Sequence, residues 1–120
     1  MKRQKKKTYD RGMKAEGLAA LWLQVKGYKI LARRYKTPVG EIDLIVQKNN
    51  LIAFVEVKSR MTTTQALESL TPSMRRRIER AAAHYIGHNN CEGRELRFDL
   101  VTVAPPFFIQ HLDNAWLQAA

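Results

Sequence analysis

Only one cysteine, Cys91, occurs in the chain, which excludes a disulfide framework and points to a reducing cytoplasm. Four prolines and six glycines are scattered without repeats or low-complexity linkers, so the 120 residues read as one domain around a single core. Long hydrophobic runs are missing as well. The longest, Leu18 to Leu23, is far too short to span a bilayer, and no apolar stretch follows the basic N-terminus as a signal peptide would require. Acidic residues are the scarcest class relative to their counterpart: 11 Asp and Glu stand against 21 Lys and Arg, for a net charge of +10.

That excess is unevenly placed. Lys2, Arg3, Lys5, Lys6, Lys7 and Arg11 face only Asp10, so residues 1–11 read as a basic flexible tail and residues 12–120 as the folded domain. The tail is either a solubilising arm or a phosphate-binding arm in which Lys5, Lys6 and Lys7 contact a nucleic-acid backbone. No amphipathic insertion helix accompanies it, so a membrane is not the expected partner.

With acids so few, their positions matter. Gly40 to Val46 (Gly-Glu-Ile-Asp-Leu-Ile-Val) and Phe54 to Arg60 (Phe-Val-Glu-Val-Lys-Ser-Arg) are strand-like runs separated by a Lys48-Asn49-Asn50 break. Asn tolerates positive φ, so the break predicts a tight hairpin turn. A two-residue or symmetric four-residue turn pairs Lys48 with Leu51, which sets Asp43 opposite Glu56 and Glu41 opposite Lys58 on one face of the sheet. Opposed side chains have Cβ atoms about 4.5–5.5 Å apart, and like charges there repel. A divalent cation held between Asp43 and Glu56 is the most economical compensation, with Lys58 neutralising charge nearby. The other face, Ile42, Leu44, Val46, Ala53, Val55 and Val57, is wholly apolar, and the charged face also carries Ile45, Ile52 and Phe54. The hairpin therefore reads as a central element buried on both sides, where charges are functional more often than decorative; a solvated hairpin face is the alternative.

The remaining order is α/β. A helix is predicted from about Tyr9 to Lys26, with an apolar stripe of Leu18, Leu21, Trp22 and Val25 and a stop at Gly27. A strand follows over Tyr28–Tyr35, then the hairpin, then a polar, threonine-rich connection over Met61–Leu70. Thr71-Pro72 is an N-cap and first-turn pair for a helix running to about His88. Leu96–Val103 is a fourth strand, and Phe107–Leu112 a short edge strand beyond Pro105-Pro106. On the second helix Ile78, Ala81, Ala82, Tyr85 and Ile86 share one side, while Arg76, Arg77, Arg80 and His84 project from the other. That side is either an ordinary solvated face or a phosphate contact. Glu16 stands beside Ala19, Ala20 and Leu23 and by position reads as a helix-surface acid. His84 and His88 have a zinc-compatible spacing but no third ligand. Trp116 and the Phe107-Phe108 pair read as packing residues, and Ser59 has no histidine base for nucleophilic chemistry.

Asp43 followed by Glu56-Val57-Lys58 on the next strand resembles the PD-(D/E)xK nuclease signature. The ordered set Gly12-x-x-Ala15-Glu16-x-x-Ala19-x-x-Trp22-Leu23, Gly27-Tyr28-x-Ile30-Leu31-x-Arg33-Arg34, Gly40-Glu41-Ile42-Asp43-Leu44-Ile45, Phe54-Val55-Glu56-Val57-Lys58 and Arg97-Phe98-Asp99 resembles, more closely, the YraN-type bacterial family. That family is related to Holliday-junction-resolvase-like endonucleases. The resemblance spans nearly the whole chain from Gly12 onward. It implies a restriction-endonuclease-like core, a central mixed sheet flanked by helices in the order αβββαβ. An acid at Glu16 recurs in the family and would complete a metal site. A lysine usual near Met74 is missing here, which removes one candidate active-site cation unless Arg75 replaces it. The threonine stretch is shorter than the family loop, which often carries Phe-Gly.

The expectation is Mg²⁺- or Mn²⁺-dependent phosphodiester hydrolysis in nucleic acid, with DNA the expected substrate. Asp43, Glu56 and the carbonyl of Val57 would hold the ion, Lys58 would orient the attacking water or stabilise the phosphorane charge, and Glu41 and Glu16 would tune a second ion. Arg60, on the face of Lys58, would contact a neighbouring phosphate. Resemblance to junction-cleaving enzymes makes a homodimer worth testing. Competing readings are a non-catalytic nucleic-acid-binding module on the same fold and a basic scaffold for acidic protein partners. Two converging carboxylates favour the enzyme, since binding phosphate does not need them.

Overall fold

A computed structural model describes residues 2–104 and 108–116, with side chains from residue 14 onward. Helix α1 (Lys2–Val25) is followed by β1 (Lys29–Thr37), β2 (Gly40–Lys48), β3 (Leu51–Lys58), α2 (Thr63–Ser69), α3 (Pro72–His88), β4 (Glu95–Ala104) and β5 (Phe108–Trp116). The strands form one sheet in the order β1-β2-β3-β4-β5. Every neighbouring pair is antiparallel except β3 and β4, which run parallel. A parallel pair needs a crossover, and α2 with α3 supply it. This mixed sheet between helices is the α/β, restriction-endonuclease-like arrangement implied by the resemblance.

The two sheet faces have separate cores. On one, Ala15, Ala19, Ala20 and Leu23 of α1 pack on Leu44, Val46, Ala53, Val55, Val101 and Val103. On the other, Ala66 and Leu70 with Ile78, Ala81 and Ala82 of α3 cover Ile42, Ile45, Ile52, Phe54, Phe98 and Leu100. The buried side of α1 differs from the predicted stripe: Leu21 is 59% and Val25 79% exposed. Alanines at 15, 19 and 20 let the helix axis approach a sheet already filled by branched residues, and larger side chains would not fit at that contact. That rotation turns Glu16 toward the sheet margin. The helix also begins earlier than Tyr9, its backbone continuing through the Lys- and Arg-rich segment, whose residues are good helix formers. It ends as predicted at Gly27, whose φ of +96° accompanies bonds from Gly27 N–H to the Gln24 carbonyl and from Tyr28 N–H to the Leu23 carbonyl.

The hairpin has the predicted register, Lys48 against Leu51, with Asn49 at φ +54° in the turn. Two segments differ from expectation. The threonine-rich connection contains α2, whose start is capped by Thr62, its Oγ1 accepting the Gln65 N–H at 3.1 Å. Threonine is a weak helix former, so this short helix depends on its cap and on burying Ala66 and Leu70 rather than on propensity. Strand β5 runs on to Trp116 instead of stopping near Leu112, because Asn114 at φ +52° lets its N–H reach the Asp99 carboxylate at 3.0 Å. Helix α3 matches its prediction, with Thr71 Oγ1 accepting from Met74 N–H at 3.2 Å and Pro72 in the first turn. Gly40 is required where α3 meets β2, since a Cβ there would collide with the Arg77 carbonyl.

Candidate active site

β2 pairs with β3 only from Lys48↔Leu51 to Leu44↔Val55, yet it stays paired with β1 as far as Thr37↔Gly40. The hairpin therefore forks at Asp43: Asp43 and Glu56 come together in the mouth of the fork instead of in a regular ladder, and the pairing ends before the predicted Glu41–Lys58 opposition, with Glu41 at a cleft beside Glu56. Arg34, between the Arg33↔Leu44 and Tyr35↔Ile42 pairs, has φ +50°. The alternation breaks at the same level: Ile42 packs in the α3-side core, whereas Leu44 packs against α1. This corrects the expectation that Ile42, Leu44 and Val46 share a face.

Asp43 closes the fork. Its Oδ2 accepts the Val57 N–H at 2.8 Å, a side chain standing in for a backbone acceptor. Glu56 is half-buried beside it. Burial, followed by a hydrogen bond with Asp43 and the Asp43 charge, pushes the Glu56 carboxyl far above the carboxylate range. Lys58 and the Val57 N–H recover only part of that shift. Two carboxyl groups thus stand side by side, where a cation would offset the charge that burial disfavours on Glu56. Glu41 and Glu56 line a cleft of about 90 Å³ with Met74, Arg77 and Ile78.

Glu16 reaches the margin of this group from α1. Burial raises its pKa first, and the charges of Asp43 and Glu41 add to the shift, while Arg34 opposes it. Arg34 Nε lies 3.4 Å from Glu16 Oε2. Among the described residues no three Asp, Glu, His or Cys side chains are arranged to hold a metal ion by themselves. A cation in the fork would therefore need the two carboxylates, the Val57 carbonyl and water.

The cationic residues separate. Lys58 is half-buried at the end of β3, and Arg60 is exposed, its Nη1 donating to the Ser59 carbonyl at 2.9 Å. Arg76, Arg77 and Arg80 are exposed on α3, with Arg77 at the cleft. Arg75 instead turns toward the Trp116 ring, 5.9 Å from its centroid. The side chains of Lys5, Lys6 and Lys7 lie outside the described residues. His84 does not project outward as predicted; its Nδ1 is 2.7 Å from Tyr35 Oη, and its ring stacks on His88 at 4.2 Å.

A second polar cluster lies on the α1 side of β4. Asp99, fully buried, receives Arg97 through Nε and Nη2 at 2.7 Å each, His111 Nε2 at 2.7 Å and Asn114 N–H. Burial opposes its charge, but the bonds from His111, Arg97 and Asn114 outweigh it and hold the pKa below the ordinary value. Arg97 also donates to Tyr28 Oη at 3.1 Å. The network ties β4 to β5 and to the segment after α1. Arg97 and Asp99 are polar residues two apart within an apolar strand, the one signal in the sequence that pointed to it.

The chain's residues 15–103, spanning this fork, the second half of α1 and all of α2 and α3, match the model of "Uncharacterised protein family UPF0102". The chain belongs to the UPF0102 family. A UPF0102 protein of Paramagnetospirillum magneticum is 51% identical over 111 residues, covering 88% of this chain and 86% of the relative. One of Parvibaculum lavamentivorans is 48% identical over 109 residues, 90% of this chain and 82% of the relative. One of Caulobacter vibrioides is 45% identical over 106 residues, with 88% and 85% covered. These UPF0102 relatives, the YraN-type group of the resemblance, are similar over nearly their whole length. Among the described residues no helix is long and apolar enough to cross a membrane.

Proposed function

We propose that this UPF0102 protein is a metal-dependent endonuclease that hydrolyses phosphodiester bonds in nucleic acid, DNA in the first instance, in the cytoplasm. The observation that carries this reading is the convergence of Asp43 and Glu56 on the Val57 N–H, with Lys58 one residue on. A binding module has no use for two carboxyl groups held together against their repulsion.

The donor set fits Mg²⁺ or Mn²⁺. Asp43, Glu56 and the Val57 carbonyl offer hard oxygens, and the cleft of about 90 Å³ that Glu56 lines leaves space for water to complete the coordination. When bound there, the ion supplies Lewis acidity, lowering the pKa of a water and offsetting charge on the phosphate oxygens. Glu56, whose carboxyl is pushed up by burial and by Asp43 beside it, would have to be ionised to hold such an ion. Lys58 donates to the attacking water or to the charge that develops on the phosphate. Arg77 at the cleft and Arg60 beyond β3 hold flanking phosphates, with Arg76 and Arg80 extending the contact along α3. Glu41 and Glu16 would be the acids to tune a second ion, Glu16 being paired with Arg34 at 3.4 Å. The basic segment 1–11, with Lys5, Lys6 and Lys7, adds phosphate affinity to the nuclease-like domain 12–120, and a homodimer would present two such sites to a branched substrate.

A cleavage screen with Mg²⁺ and Mn²⁺ over single-stranded, duplex, flapped and four-way-junction substrates tests this. Metal-dependent cutting that Lys58→Ala abolishes is the expected result. A second reading, a non-catalytic nucleic-acid binder, is favoured by the Arg34–Glu16 ion pair, which occupies the third acid. Tight nucleic-acid binding with no cleavage and no divalent-ion binding would select it.

A further inference from the structure

Beyond the acid pair, the same face of the sheet carries a larger cleft. It measures about 310 Å³ and is lined by Met61, Thr102, Ala104, Phe108 and Gln110. We propose that this cleft binds the base of an unpaired nucleotide next to the phosphate at the fork, an inference that rests on the nucleic-acid reading above.

Register places it. Lys58 pairs with Thr102, Thr102 with Gln110, and Ala104 with Phe108. Opposed residues and alternate positions along a strand share a face, so Glu56, Lys58, Thr102, Ala104, Gln110 and Phe108 all lie on one side of the sheet. Adjacent strands are about 4.8 Å apart, so the cleft begins one strand from Lys58. The short segment Ser59-Arg60-Met61 leads directly from Lys58 to its wall.

Its chemistry selects the occupant. Phe108 and Met61 are each 69% exposed, whereas Phe54, Phe98 and Trp116 are buried, with Trp116 stacked on Phe98 at 5.2 Å. The expectation that Phe108 is a packing residue is therefore wrong; Phe107 lies outside the described residues. A phenyl ring and a thioether exposed at one cleft offer an apolar surface that the π-face of any nucleobase can cover. Gln110, exposed at the cleft, brings an amide donor and acceptor that suit a base edge. The described lining holds no carboxylate, while Lys58 and Arg60 stand on the β3 side, where the phosphate of the same nucleotide would fall. An uncharged apolar ligand would leave both cations and the amide unused. A base inside a duplex cannot present its face to the cleft, so the occupant is single-stranded or extruded.

The test is anisotropy of a short labelled oligothymidylate binding the full chain in EDTA, which prevents cleavage, together with the same oligomer carrying an abasic site at each position in turn. Wild type is expected to lose about tenfold in affinity at one abasic position, the typical loss for one stacked base. Phe108→Ala is expected to bind the intact oligomer about tenfold more weakly and to lose that positional penalty. Gln110→Ala, at an exposed position that threatens no core, should shift the same way by less. If Phe108→Ala and Gln110→Ala keep the wild-type affinity and abasic profile, the inference is overturned while the nucleic-acid reading stands. If wild type binds none of the oligomers, both fall together.

Discussion

The Asp43 carboxylate accepts the Val57 backbone N–H at 2.8 Å, and this bond decides where the hairpin ends and the site begins. A second backbone acceptor at that place would have continued the ladder. A carboxylate there stops it and leaves Glu56 enclosed against a like group. Asp43→Asn keeps an acceptor for the N–H and removes the charge, so it should fold normally, with thermal stability in the absence of metal equal to or above wild type. Calorimetric titration with Mn²⁺ should show its binding abolished. Asp43→Ala, which orphans the N–H, should instead cost about 1–3 kcal/mol in denaturant unfolding.

Glu56 makes stability depend on pH in an uncommon direction. Its folded-state pKa is raised above the ordinary 4.5, so the folded chain holds a proton that the unfolded chain releases. The contribution is fully present in acid and declines as pH climbs above that value, by at most about 1.4 kcal/mol per pH unit, until Glu56 itself ionises. Glu56→Gln should flatten the decline and melt higher than wild type at about pH 8. Mn²⁺ binding to wild type at neutral pH should release close to one proton, read from titrations in buffers of different ionisation enthalpy; absence of proton release would contradict the raised Glu56 pKa.

Arg76, Arg77 and Arg80 are exposed together on α3. Replacing all three with Ala should weaken nucleic-acid binding for every sequence alike and reduce the slope of log affinity against log salt by roughly 2–3. An unchanged slope would favour an acidic protein partner over nucleic acid.

Asp99 is expected to matter for folding rather than chemistry. Removing it leaves Arg97 and His111 facing each other in a buried space, so Asp99→Ala should cost about 3–5 kcal/mol of stability. Because its pKa is depressed, its contribution is present above the ordinary carboxylate value of 3.8 and is lost as pH falls through the folded one. Nuclease activity per folded molecule should be unchanged in the conservative Asp99→Asn.

Much of this was legible because local chemistry and tertiary structure agree. Asn49 in the turn, Thr71-Pro72 at the start of α3 and Gly27 after α1 each have a backbone reason that acts within a few residues. What escaped depends on distant partners. Nothing near Thr63 announces a helix, since α2 exists by burying Ala66 and Leu70 against the sheet. Leu21 and Val25 fit an apolar period as well as Ala15 and Ala19 do, and only the fullness of the opposing sheet selects the alanines. The register brought Asp43 and Glu56 together correctly. The fork itself, set by Arg34 and by a side chain replacing a ladder acceptor, has no local signature.

The outermost strand β1 has a further consequence. An open sheet edge is a template on which another chain can lengthen the sheet, and proteins prevent this with charge and with breaks in the strand. Lys29, Arg33 and Lys36 are exposed along β1, and the left-handed Arg34 interrupts its run. A second copy of this chain brings the same cations to the same place, so edge-to-edge growth through β1 is blocked by self-repulsion as well as by shape. The margin of β1 is thus guarded twice, by the cations along it and by the kink in its backbone.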